Sequence, residues 1–185
     1  MNIIDIGSGP HPKADANILV DVHPWPGVTH IHDLNQFPYP FEDNFADKIY
    51  LGDVIEHMIF TQAPLVLKEL HRILKPDGGK LEVTCPDLEW VFKSLINGTW
   101  KADTMGIDWL NRRATDWESA MDYVFGGFRN ESEFMIPGMG HVNGFNEEYL
   151  CSLLKQLGFM LVTRVEDTRN PAPLSGAILK VIAIK

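Results

Sequence analysis

The chain has 185 residues, enough for one domain with a substantial core, and 45% of them are hydrophobic. Twenty-five acidic against 16 basic groups give a net charge of −9, which lacks the basic footprint of a protein that grips a phosphate backbone and argues against a nucleic-acid partner. No stretch reaches the length of a membrane span, no N-terminal apolar run reads as a secretion signal, and the two cysteines, Cys85 and Cys151, lack CxxC spacing, so a soluble, reducing, cytoplasmic setting is expected.

In chain order, Asn2 to Ile6 reads as a strand that ends in the turn Gly7-Ser8-Gly9. Ile18 to Val22 and Val28 to Ile31 read as the second and third strands, with too few residues between the first two for a full crossover helix. A Pro- and Phe-rich connection over 34–46 leads to a fourth strand, Lys48 to Leu51. Gln62 to Leu74 carries one apolar stripe (Val66, Leu70, Ile73, Leu74) and predicts a helix, stopped by Lys75-Pro76-Asp77-Gly78-Gly79. Lys80 to Cys85 alternates as a fifth strand, and Leu88, Val91, Phe92 and Leu95 mark a short helix after it.

Residues 97–141 are rich in Trp, Met, Phe and Gly and read as an insertion of one or two helices with loops. Asn146 is placed to cap a helix that stops at Gly158, with Phe145 and Leu150 as its hydrophobic staple. Phe159 to Glu166 and Gly176 to Ile184 read as two final antiparallel strands. Strands alternating with helices predict a single α/β domain: a seven-stranded, mostly parallel, Rossmann-like sheet with helices on both faces and an antiparallel last strand.

The chemistry-bearing residues fall at strand ends. A Gly-x-Gly turn lets a backbone approach a ligand, although alone it is as often only a tight turn. The third glycine of a dinucleotide fingerprint is replaced by Pro10-His11-Pro12, which speaks against a pyrophosphate on a helix N-terminus. Asp21 ends the second strand, where a carboxylate can accept both hydroxyls of a ribose. After the third strand, Asp33 can accept from an adenine amine while Leu34 packs the ring. His30 and His32 share one face beside Asp33, but two ligands with a carboxylate already assigned do not make a metal site, and none is expected.

Taken together, these segments resemble the class I, Rossmann-like S-adenosylmethionine-dependent methyltransferases, in particular their type 11-like branch. Asp5-Ile-Gly-Ser-Gly9 resembles the first motif, Asp21-Val22 the ribose-binding acid, and Asp33-Leu34 the adenine-binding pair. Gly52-Asp53-Val-Ile-Glu-His57 resembles the segment beside the methionine part of the cofactor, and Leu67 to Gly79 the helix and turn before the fifth strand. The resemblance covers about 1–90 and 140–185. It implies S-adenosylmethionine as cofactor, S-adenosylhomocysteine as product, and Asp5, Gly7, Ser8, Gly9, Asp21, Val22, Asp33, Leu34, Leu51, Gly52 and Asp53 as the cofactor site.

Methyl transfer needs mainly positioning and a dry pocket, with a base only if the acceptor must lose a proton. His57 and His141 are the candidate bases; Asp87 fits a helix cap better. The acceptor is expected to be a small molecule or glycan-type group, and residues 97–139 to form its lid or else a packed helical insertion or homodimer face. Two departures bear on the cofactor. No helix precedes the first strand, which leaves the site without that cover or takes it from a partner subunit. The short first crossover removes part of the wall around the methionine carboxylate. They keep a rival reading open, a cofactor-binding scaffold that has lost transfer. A nicotinamide-dependent oxidoreductase is disfavoured by the missing third glycine.

Overall fold

The structure, a computed structural model, describes residues 1–102, 115–126, 140–167 and 176–185. Seven strands form one sheet: β1 (Ile3–Ile6), β2 (Ile18–Asp21), β3 (His30–Ile31), β4 (Lys48–Gly52), β5 (Lys80–Pro86), β6 (Met160–Val165) and β7 (Ile178–Ile184). Their order is β3-β2-β1-β4-β5-β7-β6. The ladders from β3 to β5 are parallel, and β7 runs antiparallel to both neighbours. The expected Rossmann-like sheet with its reversed last strand is therefore what the chain forms. The order reverses between β1 and β4, where their carboxyl ends open a crevice.

Side-chain alternation decides where the core sits. Ile4 and Ile6, Ile49 and Leu51, Leu81, Val83 and Cys85, and Leu179, Val181 and Ala183 are buried in one cluster. Helix α1 (Ala63–Ile73) adds Val66, Leu67, Leu70 and Ile73 to it, and α4 (Glu147–Gln156) adds Leu150 and Leu154. Removing each such side chain from water contributes about 1.5–3 kcal/mol. Burial also pushes the Cys85 thiol well above its ordinary range, so Cys85 serves as a small core residue.

The alternate positions are polar in the middle of the sheet. Asp5, Tyr50 and Glu82 are neighbours across β1, β4 and β5. The crossover between β1 and β2 contains turns and no helix, as its length requires. Its loop brings Asp15 to the Tyr50 hydroxyl (2.8 Å) and to Lys48 (3.5 Å), and Lys180 pairs with Glu82 at 2.9 Å. The polar face is thus satisfied by side chains where a longer crossover would supply a helix.

Helix α2 (Leu88–Ile96) and helix α3 (Asp116–Phe125) build a second cluster from Val91, Trp100, Ala120, Tyr123, Val124 and Ala177. Thr115 and Glu118 close a capping box on α3, and Trp100 Nε1 donates to Ser119 Oγ at 3.2 Å. This is one helix of the expected insertion; the rest of that expectation lies outside the described residues. Asn146 caps α4 by accepting from the Tyr149 amide (2.9 Å), and both staple residues are buried.

Some boundaries differ from the sequence reading. β2 ends at Asp21 rather than Val22 because the Asp21 carboxylate captures the His23 amide and turns the chain. β3 begins at His30 rather than Val28 because the Val28 amide closes a turn on the Trp25 carbonyl.

Candidate functional site

The glycine turn after β1 is folded onto the end of β2. The amides of Gly7 and Ser8 both donate to the Val20 carbonyl, at 2.8 and 3.1 Å. Gly7 has a φ of +67°, and a Cβ there would stand 2.4 Å from Val54 Cγ2, so only glycine fits. Asp21, buried at the next position, accepts from the Gly9 amide through Oδ2 (2.9 Å) and from the His23 amide through Oδ1 (2.8 Å). Each carboxylate oxygen keeps a second lone pair, so Asp21 holds a fixed pair of acceptors at the end of β2. The Ser8 hydroxyl is buried with no hydrogen-bond partner among the described residues.

Asp33 holds its own turn, accepting from the Asn35 backbone and side-chain amides through Oδ1, both at 2.9 Å. Oδ2 is left for another donor, and Leu34 packs against the core edge beside it. Val22, in contrast, is largely exposed, and the Leu51 side chain lies wholly in the core, so Leu51 can meet a ligand only through its backbone. Gly52 and Asp53 end β4, and Asp53 adopts a φ of +56°, which bends the chain out of the sheet. The Asp53 amide is held by the Thr84 carbonyl at 2.9 Å.

Asp5 is buried and accepts from the Lys13 amide at 2.8 Å. Burial foremost raises its carboxyl above the ordinary value, against the lowering effect of Lys13. The Lys13 side chain returns over the crevice: Nζ is 5.7 Å from the Tyr50 ring centre and 3.8 Å from where a side chain on Gly52 would begin. A buried acid and a cation therefore stand together at the β1–β4 switch point.

Beyond Asp53, a 3-10 turn (Ile55–His57) carries Glu56 and His57 to meet the segment after α3. The amides of Val142 and Asn143 donate to the Glu56 carbonyl at 2.9 and 3.1 Å. His57 Nδ1 lies 3.2 Å from the Gly140 carbonyl and His141 Nδ1 lies 3.0 Å from the Val124 carbonyl. The two imidazoles meet edge to face with centroids 5.1 Å apart. Gly126 ends α3 with a φ of +62°, and a Cβ there would lie 3.0 Å from the His141 ring. Asn143 is also buried, and its side-chain nitrogen has no partner among the described residues.

Three sequence candidates take other roles. Asp87 caps α2 by accepting from the Trp90 amide (3.2 Å) and pairs with Arg164 (2.8 Å), which is structural work. His30 bonds Thr29 and tilts against Phe41, while His32 contacts the Gln36 carbonyl and the Tyr39 ring, so the two do not converge on one ligand position.

The family model for a methyltransferase domain matches residues 1–164. The chain belongs to this family. No curated protein matches it. Solved structures share the fold over the whole chain. An S-adenosylmethionine-dependent methyltransferase of Archaeoglobus fulgidus aligns with a TM-score of 0.59 at 14% identity, covering 100% of this chain and 86% of that one. A Thermotoga maritima S-adenosylmethionine-dependent methyltransferase, named as a possible histamine N-methyltransferase, gives 0.58 at 18% identity over 100% and 82%. The 1,6-didemethyltoxoflavin-N1-methyltransferase of Burkholderia thailandensis, solved with its substrate and S-adenosylhomocysteine, gives 0.57 at 16% identity over 99% and 70%. At these identities the structures speak to fold, and family membership rests on the sequence model.

Within this methyltransferase domain, the sequence reading missed Lys13, Glu56 and Asn143. Lys13 was hidden because a crossover of turns gives no periodic signal for where a side chain returns. Glu56 stood beside His57 in the quoted segment, but the amides that meet its carbonyl, those of Val142 and Asn143, come from a distant segment. Asn143 had no local pattern at all.

Proposed function

We propose that this methyltransferase domain binds S-adenosylmethionine along the carboxyl edge of β1, β2, β3 and β4 and moves its methyl group to a small-molecule or glycan-type acceptor. The observation that carries the reading is the Asp21 carboxylate, buried and aligned by two backbone amides, next to a glycine turn and an unpartnered Ser8 hydroxyl. That set suits the two hydroxyls of a ribose, which need fixed acceptors beside a backbone with no side chain in the way. When bound, the cofactor supplies a methyl group already activated for displacement.

The chain's own residues divide the remaining work. Asp33 and Leu34 take the adenine, through the free Oδ2 and the apolar side chain. Asp5 faces the ammonium end of the methionine part and Lys13 its carboxylate. The backbone of Leu51, Gly52 and Asp53 lines the methionine chain. His57 and His141 stand on the acceptor side. A carbonyl only accepts, so each ring donates from Nδ1 to its carbonyl and keeps Nε2 as the basic nitrogen. In these roles the rings are positioned to hold an acceptor or take its proton. No helix of the described residues is long and apolar enough to cross a membrane.

The ribose assignment is tested by Asp21→Ala. The variant should lose about 1–3 kcal/mol of S-adenosylhomocysteine affinity, because two acceptors to hydroxyls disappear with a charge. Unchanged affinity in a variant that melts cooperatively would contradict the assignment.

A further inference from the structure

Glu56, His57 and His141 each bring one ligand atom within 4.8 Å of the other two. We propose that these three side chains bind a divalent first-row transition-metal ion, leaving coordination positions open for an oxygen of the acceptor; with the ion bound, His57 and His141 hold the acceptor through it and do not take its proton. The ion site stands on its own geometry; only its use toward the acceptor rests on the function proposed above.

The histidines are arranged as ligands are. Each directs Nδ1 at a backbone carbonyl, Gly140 for His57 and Val124 for His141. A carbonyl fixes the hydrogen on Nδ1, which leaves Nε2 with its lone pair and sets the ring angle. Metal-binding imidazoles are oriented by this kind of outer hydrogen bond. That two rings from separate segments share the arrangement and meet at 5.1 Å is not required by packing alone.

Glu56 supplies the charge. Its residue is only 2% exposed, and a carboxylate so deep is costly to keep ionised unless a cation or strong donors face it. Its carboxylate stands with the two imidazoles in one cluster, where a divalent ion would be held by all three. The donor set also selects the ion. Two nitrogens and one carboxylate oxygen suit zinc and its first-row neighbours, whereas calcium and magnesium favour oxygen-only shells. Three protein ligands form an open set, which leaves room for a water or a bound oxygen.

The scaffold is already assembled. Both amides that follow His141 are tied to the Glu56 carbonyl, and the His141 amide is tied to Phe125 at 3.0 Å. Gly126 provides the left-handed turn and the gap that admits the His141 ring. Ligand atoms on one ion lie about 3–4 Å apart, given metal–ligand bonds near 2.1 Å, so small side-chain rotations close the set. The Asn143 backbone amide is one of those tied to the Glu56 carbonyl, and its buried side-chain nitrogen has no hydrogen-bond partner among the described residues.

The test uses the whole protein, dialysed against a chelator and titrated with Co²⁺ followed by Zn²⁺ in competition. The expected result is one bound Co²⁺ per chain with visible d–d absorption that Zn²⁺ displaces. His57→Ala and His141→Ala should each weaken Co²⁺ binding by at least about tenfold, the scale seen when metal-site residues are removed. Glu56→Gln, close in shape, should do the same. S-adenosylhomocysteine affinity, measured separately by calorimetry, should stay within about threefold in these variants. Absence of Co²⁺ and Zn²⁺ binding by the wild-type protein would overturn the site and leave a buried carboxylate–imidazolium pair in its place. Binding that survives both histidine substitutions would overturn it as well. Loss of S-adenosylhomocysteine binding in the wild type with the metal still bound would instead count against the cofactor reading.

Discussion

On the proposed nucleoside side of the sheet, each carboxylate is fixed by nearby backbone amides. Asp21 is held by His23, two positions on, and by Gly9, 12 positions back, while Asp33 is held by Asn35. On the proposed acceptor side, the groups that meet come from distant segments, with His57 reaching Gly140 across 83 positions. The nucleoside side is thus a set of local turns hung on parallel strands. The acceptor side is a tertiary assembly whose parts are placed by α2, α3 and their shared cluster. Local turns survive the loss of a remote contact, so damage to one side should leave the other largely intact.

The largest effect should come from the acceptor side. Trp100 is wholly buried, donates to Ser119 and packs edge-on against Trp90 and Tyr123. Trp100→Ala should cost about 3–5 kcal/mol in chemical denaturation, the usual loss for a large buried aromatic. If the two sides are built as described, the folded fraction should still bind S-adenosylhomocysteine with near wild-type affinity. A parallel loss of affinity would break the comparison.

Gly7→Ala strikes the other side. The new Cβ would stand 2.4 Å from Val54 and would sit at a positive φ. Overpacking and left-handed strain together should cost about 2–4 kcal/mol of stability, read from the shift in denaturation midpoint. Affinity for S-adenosylhomocysteine should fall with it, because the turn itself moves. Retained affinity would show that the turn is not the cofactor's floor.

A smaller effect separates function from stability within the nucleoside side. Burial holds the Asp5 carboxyl above its ordinary pKa, so the folded state gains protons over the unfolded one just above that value. Keeping the charge therefore costs stability at neutral pH, and the cost fades as pH falls through the raised value and is gone below the ordinary one. Asp5→Asn should melt slightly higher than wild type at pH 7, and the gap should close near pH 3.5, about where carboxylates gain their protons. The same variant should bind S-adenosylmethionine more weakly, by about 1.5 kcal/mol for a lost contact to a charged group. A variant that is both less stable and unchanged in affinity would place Asp5 among purely structural residues.

The same contrast explains what was legible in the sequence. Ile4 with Ile6, Ile49 with Leu51, and Leu81 with Val83 announce strands by alternation, and Pro76 with Gly78 announces the end of α1. The placing of Asp21 and Asp33 at or just after strand ends could be read because strand and carboxylate are neighbours in the chain. Val22 could not be excluded from β2 beforehand, since only the Asp21 side chain's capture of the His23 amide ends that strand. Lys13 returns over the crevice through turns that carry no period. The link between Glu56 and residues 140–143 is made by backbone amides donating to one carbonyl, and no residue type marks such a contact.

Calorimetric titration of the purified protein with S-adenosylmethionine, S-adenosylhomocysteine and NAD tests the central claim most directly. The account predicts one site per chain with dissociation constants in the micromolar range, about −8 kcal/mol, for the first two ligands and no measurable heat for NAD. Correctly folded protein that binds neither adenosyl ligand, or that binds NAD in their place, would contradict it.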